Sequence, residues 1–306
     1  MKTVNCAVFS EEIARETGKR ESESDLEFYH RKHSEAMITM IYPRGFPQKI
    51  NPLMQALHLS DFVLLDVEKI NAELGEKIVA IDALGKQKGF LVVGEETDKE
   101  TLSQVIKGTA VQKFEEIKRE EILERLAGEQ AVKKTGKTII DLDALFSVRG
   151  VGIVALGFIK QGTVKKFSKL KVYPGKKEVL VKSIQVHDRE RDSAECGERV
   201  GLALKGIEPK EFSRGMVLVE GEEFTETKQF TIEFKKNKYY KGKLIHNKQF
   251  HLQCREQVTG CTIKSPEPLL VETSRKIAVR KGERVTLLDI NSKPRVVGSG
   301  RIGGYI

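Results

Sequence analysis

Up to about residue 126, short apolar runs alternate with segments of helical spacing. Residues 3–9, 36–41, 61–67 and 89–93 each read as a buried strand. Residues 53–59 and 98–106 read as helices. Leu74, Ile78, Ile81 and Leu84 fall at helical spacing behind Asn71, a residue suited to cap a helix. Apolar strands alternating with helices predict βαβ units and a parallel sheet covered on both faces. Residues 111–126, rich in Glu and Lys, predict one amphipathic helix. Two stretches break the rhythm. Residues 10–27 are strongly polar and predict either a solvated helix or a partly disordered loop. Residues 42–52 carry three prolines and predict a loop.

Residues 128–137 (GEQAVKKTGK) predict a linker, and beyond it the helical signal disappears. Short Val, Ile and Leu runs are punctuated there by Gly150, Gly152, Gly157, Gly162, Gly197, Gly201, Gly206 and Gly215. That is the pattern of a small closed β-barrel, with glycines at turns, bulges and corners. The segment EEFTETK predicts a second hinge. From Gln229 onward FTIEF, FHLQC, LLVET, KIAVR and RVTLLDI predict a second all-β domain. The expected fold class is α/β plus all-β, with domains over residues 1–133, 138–222 and 227–306.

A length of 306 residues suits two or three such domains. Hydrophobic content of 39% and charged content of 32% fit a soluble globular protein. No apolar run nears the roughly 18 residues needed to cross a bilayer, so no membrane partner is expected. The opening MKTVNCAVFS leads straight into a strand and does not read as a secretory signal. Cys6, Cys196, Cys254 and Cys261 form no C-x-x-C pair, so reduced thiols in a cytoplasmic protein are expected and a metal site is not.

Lys and Arg outnumber Asp and Glu by 53 to 44, a formal charge of +9. Such a balance favours anionic partners where the excess clusters. It clusters in FKKNKYYKGKLIHNK, where Lys235, Lys236, Lys238, Lys241, Lys243 and Lys248 are interleaved with Tyr239, Tyr240 and His246. Lysines beside stackable rings are what an RNA-backbone surface needs. A solvated β-hairpin with lysines guarding its edge has the same pattern.

The runs FSVRGVGIVALG, from Phe146, and AECGERVGLALKGI, from Ala194, resemble the second domain of elongation factor Tu and its relatives, the translation factors that carry aminoacyl-tRNA. The match to F-x-x-x-G-x-G-x-V-x-x-G and A-G-x-x-V-G-L-x-L-(R/K)-G is close and nearly ungapped. The family's middle strand usually carries Glu in V-E-M; here Gln185 stands in Ser183-Ile184-Gln185-Val186-His187. Gln at that point resembles the selenocysteine-specific, SelB-like branch, as does the C-terminal LLDINSKPRVVGSGRI. The fourth domain with which some of those factors read an mRNA hairpin is not expected here.

The resemblance implies a P-loop GTPase-like domain ahead of two β-barrels, and its motifs fall at definable places. The phosphate loop G-x-x-x-x-G-K-[ST] falls on SEEIARET, with Ser10 and Arg15 at the glycines and Glu16 at the lysine. A carboxylate at that lysine position repels phosphate. The D-C-P-G-H element falls on Tyr42-Pro43-Arg44-Gly45-Phe46. It keeps Gly45 but has Tyr42 for the Mg²⁺-orienting Asp and Phe46 for the water-positioning His. The guanine-reading N-K-x-D falls on Gly94-Glu95-Glu96-Thr97, with Glu95 at its lysine and Thr97 at its Asp. Three losses together imply a degenerate GTPase-like domain: a pseudo-GTPase, not an enzyme, with no GTP, metal or other cofactor expected.

The resemblance also implies a pocket for the tRNA acceptor end in the first barrel, at Asp143, Leu156, Gln185, Asp188 and Arg199. Strand residues of these kinds also serve simply to satisfy barrel edges. The function expected is a noncatalytic elongation factor-like protein that binds tRNA or tRNA-like RNA through its two barrels, with the ribosome as a further partner. A regulatory or scaffold subunit of the translation machinery, working through protein contacts, is the alternative. A divergent GTP-binding elongation factor is the third reading.

Overall fold

The structure is a computed structural model that describes residues 2–22 and 24–305; Glu23, within the polar stretch above, lies outside the described residues, as do Met1 and Ile306 at the chain's two ends. The first domain contains, in order, β1 (Lys2–Val8), α1 (Glu11–Thr17), β2 (Lys19–Arg20), β3 (Glu27–His33), β4 (Ala36–Tyr42) and α2 (Asn51–Leu59). It continues with β5 (Phe62–Val67), α3 (Ala72–Ala83), β6 (Gly89–Val93), α4 (Lys99–Ile106), β7 (Glu115–Glu116) and α5 (Ile122–Gly128).

The sheet order is β2-β3-β4-β1-β5-β6-β7. From β4 through β7 all neighbours are parallel, while β2 and β3 add an antiparallel edge. β1 is central, which is why five consecutive residues from Val4 to Val8 are buried. The helix caps follow from sequence. Asn71 accepts a hydrogen bond from the Leu74 N–H at 3.0 Å, and Asp98 accepts from Glu100 and Thr101 at 3.0 and 3.3 Å.

One strand here has no expectation behind it, and one expectation changes. β3 carries no strand signal of its own, since Glu27, Phe28 and Tyr29 are all buried in succession and break any period-2 pattern. It forms because it pairs residue for residue with β4, from Glu27 opposite Tyr42 to His33 opposite Ala36. The turn between them uses Ser34 at φ 50°, not glycine. The single helix expected over 111–126 is absent. That stretch holds two short 3₁₀ turns, β7 and the start of α5. β7 pairs in parallel with Phe90 and Leu91, and Phe114 and Ile117 on either side of it are buried, so sheet extension overrides the Glu/Lys helix pattern.

The first barrel contains β8 (Ile139–Val148), β9 (Gly152–Gln161), β10 (Thr163–Lys165), β11 (Lys169–Tyr173), β12 (Lys177–Val186), β13 (Arg189–Arg191), β14 (Ser193–Glu195), β15 (Arg199–Lys205) and β16 (Val217–Val219). Strands β11-β16-β8-β9-β15-β12 pair in that order and β12 returns to β11, closing the barrel around Leu142, Val181, Leu202 and Leu218. The second barrel contains β17 (Thr225–Lys236), β18 (Gln249–Cys254), β19 (Gln257–Pro266), β20 (Leu269–Val279), β21 (Arg284–Leu288) and β22 (Val296–Tyr305). It closes in the order β17-β20-β19-β18-β21-β22. The expected hinge EEFTETK is partly strand, because Thr225, Glu226 and Thr227 already pair with Val279, Ala278 and Ile277. The lysine-rich stretch is not a hairpin: β17 and β18 are not neighbours, so the chain between them is a loop joining separate strands.

By its contacts the chain divides into two compact units. One runs to Ala131 and also takes in Lys235–Gly242 and Thr286–Ser299; the other comprises Val132–Phe234, Lys243–Val285 and the chain from Gly300. Within the second unit, the barrels meet through an apolar cluster that includes Ile139, Tyr173, Val217 and Phe224. Beside it, the Arg255 Nε donates to Asp141 Oδ1 at 2.8 Å, and both side chains are almost fully buried. Gly215, at φ +92°, sits where a Cβ would run into the backbone of Gln257.

Removing one member of a buried ion pair strands the other charge. Arg255→Met is expected to destabilise the protein by about 3–5 kcal/mol. Urea unfolding followed by circular dichroism measures this, and a loss below about 1 kcal/mol, the range of a surface pair, contradicts it.

Candidate functional site

β1 passes into α1 through Phe9 and Ser10 alone. Ser10 is the helix cap: its Oγ accepts from the Ile13 N–H at 3.4 Å and its carbonyl from the Ala14 N–H at 3.2 Å. The residues assigned by resemblance to the phosphate loop are therefore already helix, with these N–H groups turned inward to its first turn. Glu11 and Glu12 put negative charge at that end, where an anion would need the opposite. Glu16 and Glu12 both pair with Arg119, at 3.0 and 2.9 Å, and Arg15 pairs with Glu11.

The residue at the water-positioning place, Phe46, is buried. Lys77 on α3 lies 6.0 Å from its ring centroid and 5.9 Å from that of Phe9, and its Nζ donates to the Phe9 carbonyl at 3.4 Å. Burial pulls the Lys77 ammonium below its usual range, against the opposing pull of Glu73, Asp66 and Glu68. Burial likewise pushes the Asp66 carboxyl up, opposed by a hydrogen bond from Ser10. Arg295, in the same compact unit, lies 5.7 Å from the Phe46 ring. Its Nε donates to Glu76 Oε1 at 2.9 Å, its Nη2 pairs with Glu76 Oε2 at 2.5 Å, and its Nη1 reaches the Gln48 carbonyl at 3.4 Å. Two cations thus hold the aromatic ring in place. Gly45 is packed tightly beside it, since a Cβ there would lie 2.8 Å from Pro52 Cγ.

Tyr42, at the metal-orienting place, is half-buried, and burial raises its phenol above the usual range. The next loop residue but one, Arg44, donates to Glu27 Oε1 at 2.8 Å. Glu27 is fully buried and also receives Arg20 at 3.3 Å and the Tyr29 hydroxyl at 2.7 Å. Lys77, Glu76 and Glu27 carry no motif, and Arg295 lies in the C-terminal LLDINSKPRVVGSGRI with no role assigned to it; only folding brings them to this loop. In the base-reading turn, Gly94 and Glu95 precede Thr97, which is buried with its hydroxyl donating to the Val67 carbonyl at 2.9 Å. The turn is closed on itself and leads into α4.

In the first barrel, four of the five pocket candidates are brought together. Asp143 sits at a bulge in β8, between Leu142 and Ala144. Its Oδ2 accepts from Arg199 Nη2 at 2.9 Å, and the two side chains are only 5% and 7% exposed. Arg199 also lies 5.7 Å from the Phe158 ring. Leu156 stands opposite Gly201, which stands opposite Gln185. A Cβ on Gly201 would touch both Leu156 and Gln185, at 3.5 and 3.8 Å, so the glycine leaves a shallow dip between them. Gln185 is exposed and Leu156 half-buried. Asp188 is apart from this row, exposed at the turn between β12 and β13 with φ +60°.

Of the six lysine candidates, Lys235, Lys236, Lys238, Lys241 and Lys243 are exposed, and Lys248 is half-buried, 5.0 Å from the Phe250 ring. Lys238 lies 4.9 Å from the ring of Tyr239, which is 45% exposed. Tyr240 is buried and donates to Asp289 Oδ2 at 2.7 Å, so it anchors the loop. Lys235, Lys236 and Lys238 line an open cleft of about 660 Å³ together with α3 and the segment after α4.

Comparison with known proteins agrees with this architecture. Residues 152–219 match the family model for elongation factor Tu domain 2. An uncharacterized protein of Methanocaldococcus jannaschii is 32% identical over 297 residues, spanning 95% of this chain and 96% of its own. The selenocysteine-specific elongation factor of the same organism is 24% identical over 344 residues, spanning 94% of this chain and 72% of its own. The solved structure of translation elongation factor SelB from Methanococcus maripaludis, in complex with the GTP analogue GppNHp, covers 100% of this chain and 80% of its own at a TM-score of 0.85 and 19% identity.

Glu76→Ala removes the carboxylate that holds Arg295 against Phe46. Amides of the 43–50 loop should then exchange with deuterium about tenfold faster or more, because local opening becomes easier. Unchanged exchange there would show that the pair does not hold the loop.

Proposed function

The chain belongs to the SelB-like branch of the elongation factor Tu family, and from that premise we propose that it is a pseudo-GTPase: a noncatalytic elongation-factor-like protein that binds tRNA or a related RNA through its two β-barrels. The observation that carries the first half is the two-residue passage from β1 to α1. Phosphate binding in this fold needs a loop of backbone N–H groups facing outward, with a lysine to reach the β- and γ-phosphates. Here the first turn is capped by its own serine and Glu16 stands at the lysine position. The Methanococcus SelB structure was solved in complex with a GTP analogue; the short passage and Glu16 argue against the same ligand in this chain.

The second half rests on the barrels. Exposed lysines beside an exposed tyrosine favour electrostatic capture of an RNA backbone with stacking of a base. In the first barrel, Gln185 and Asp188 are open to solvent, and the dip at Gly201 beside Leu156 offers a place for a terminal base. Arg199 and Asp143 act there as a mutual pair that shapes the wall. Without a GTP-driven release step, occupancy is set by affinity and ionic strength. The ribosome is the natural further partner, and the cytoplasm the compartment.

Isothermal titration with GTP and Mg²⁺ is expected to show no binding, and Glu16→Lys alone to restore none, because the loop itself is missing. A micromolar affinity for GTP overturns the pseudo-GTPase reading. Filter binding of total tRNA across a salt series should show log K falling with log salt at about 0.7–0.9 per phosphate contacted. Absence of salt-sensitive binding at low ionic strength favours a regulatory subunit working through protein contacts.

A further inference from the structure

The lysine loop does not stand alone. Lys235, Lys236 and Lys238 face a cleft whose other wall is the first domain, built from Val79 and Asp82 of α3 and from Lys113 beyond α4. The lining carries four lysines against one acidic residue, Asp82, whose Oδ1 already accepts the Ala110 N–H at 2.6 Å. Some exposed lysines elsewhere are ion-paired, Lys99 with Glu116, Lys133 with Glu195 and Lys177 with Glu211. Among the described residues, the four cleft lysines have no carboxylate in ion-pair distance; Lys113 donates only to the neutral Gln87 amide oxygen, at 3.1 Å. Concentrated like charge in a concave wall raises the local concentration of anions.

The chemistry of the rest of the cleft narrows the anion. Tyr239 presents its ring at the rim, 45% exposed, with the Lys238 ammonium over it at 4.9 Å, so an aromatic ring and a phosphate partner lie together. Gly108, at φ +74°, leaves bare backbone on the wall, with nothing within 4 Å of where a Cβ would be. A volume of about 660 Å³ is that of a small-ligand cleft and is narrow for a duplex. We propose that this cleft, walled by Lys113 on one side and by Lys235, Lys236, Lys238 and Tyr239 on the other, binds a short single-stranded RNA segment, with phosphates on the lysines and a base stacked on Tyr239. The proposal rests on the RNA-binding reading above and gives it a place that includes the first domain, which that reading treats as a scaffold.

The test uses the full-length protein and a 5′-fluorescein-labelled oligo(U) ten nucleotides long, followed by anisotropy at low salt. Lys113→Glu, far from the lysine loop in sequence, should weaken binding about tenfold or more, and Lys238→Glu likewise, each with a shallower salt slope. Tyr239→Ala should weaken it about fivefold to a hundredfold, the range of a lost base–aromatic stack. Lys276→Glu, the same charge change on an exposed face of β20, should leave it within about twofold of wild type. Lys113→Ala, compared by thermal melting, guards against loss of fold. If wild type binds the oligonucleotide and Lys113→Glu and Lys238→Glu bind it equally well, the cleft is overturned while RNA binding elsewhere stands. If wild type binds neither the oligonucleotide nor tRNA, both readings fall. If poly-glutamate of matched charge displaces the oligonucleotide equally well and Tyr239→Ala has no effect, the cleft takes an acidic protein segment and the RNA proposal fails.

Discussion

A helix that begins two residues after a strand leaves no room between them for a loop long enough to wrap a phosphate. That constraint organises the first domain. Ser10 caps α1, so Glu11 to Ala14 cannot form an open loop. Glu12 and Glu16 pair with Arg119, just ahead of α5. The ring of Phe46 and the ammonium of Lys77 fill space beside Phe9, and the half-buried Asp66 lies next to them. Arg295 and Glu76 then tie the Phe46 loop to the segment between β21 and β22. Each contact is ordinary; together they pack the loop around Phe46 against α3 and the segment before β22.

The two barrels show the opposite tendency. Both close fully, which removes exposed sheet edges. They are joined by an apolar cluster and by a buried Asp141–Arg255 pair. A pair of this kind contributes little net stability relative to apolar packing. Its partners must nonetheless meet in one geometry, because either charge left alone in that interface is costly. The bulge that carries Asp143 is in the same strand, β8, two residues beyond Asp141. One strand therefore supplies both the contact between barrels and one wall of the candidate pocket.

The domain order, the central strands and the capped helices were legible in the sequence because each is a local signal. Asn71 and Asp98 announce their helices, the apolar runs announce β1, β4, β5 and β6, and the glycine pattern announces the first barrel. β3 and β7 were not legible, because strand pairing with β4 and β6 decides them and their own residues favour neither. The lysine loop read as a hairpin for the same reason: adjacency in sequence says nothing about which strands a barrel places side by side.

The sequence by itself determined which residues stand where the resemblance puts the phosphate loop and the D-C-P-G-H element, since that is a matter of residue identity. Only the tertiary structure decided what surrounds Phe46: its ring lies beside Lys77 and Arg295, one from α3 and one from the strand connection before β22. Sequence likewise marked Asp143 and Arg199 singly. Their distance of 2.9 Å, and the cleft that joins Lys113 to Lys235, arise when segments far apart in the chain are packed together, and no local pattern encodes that meeting.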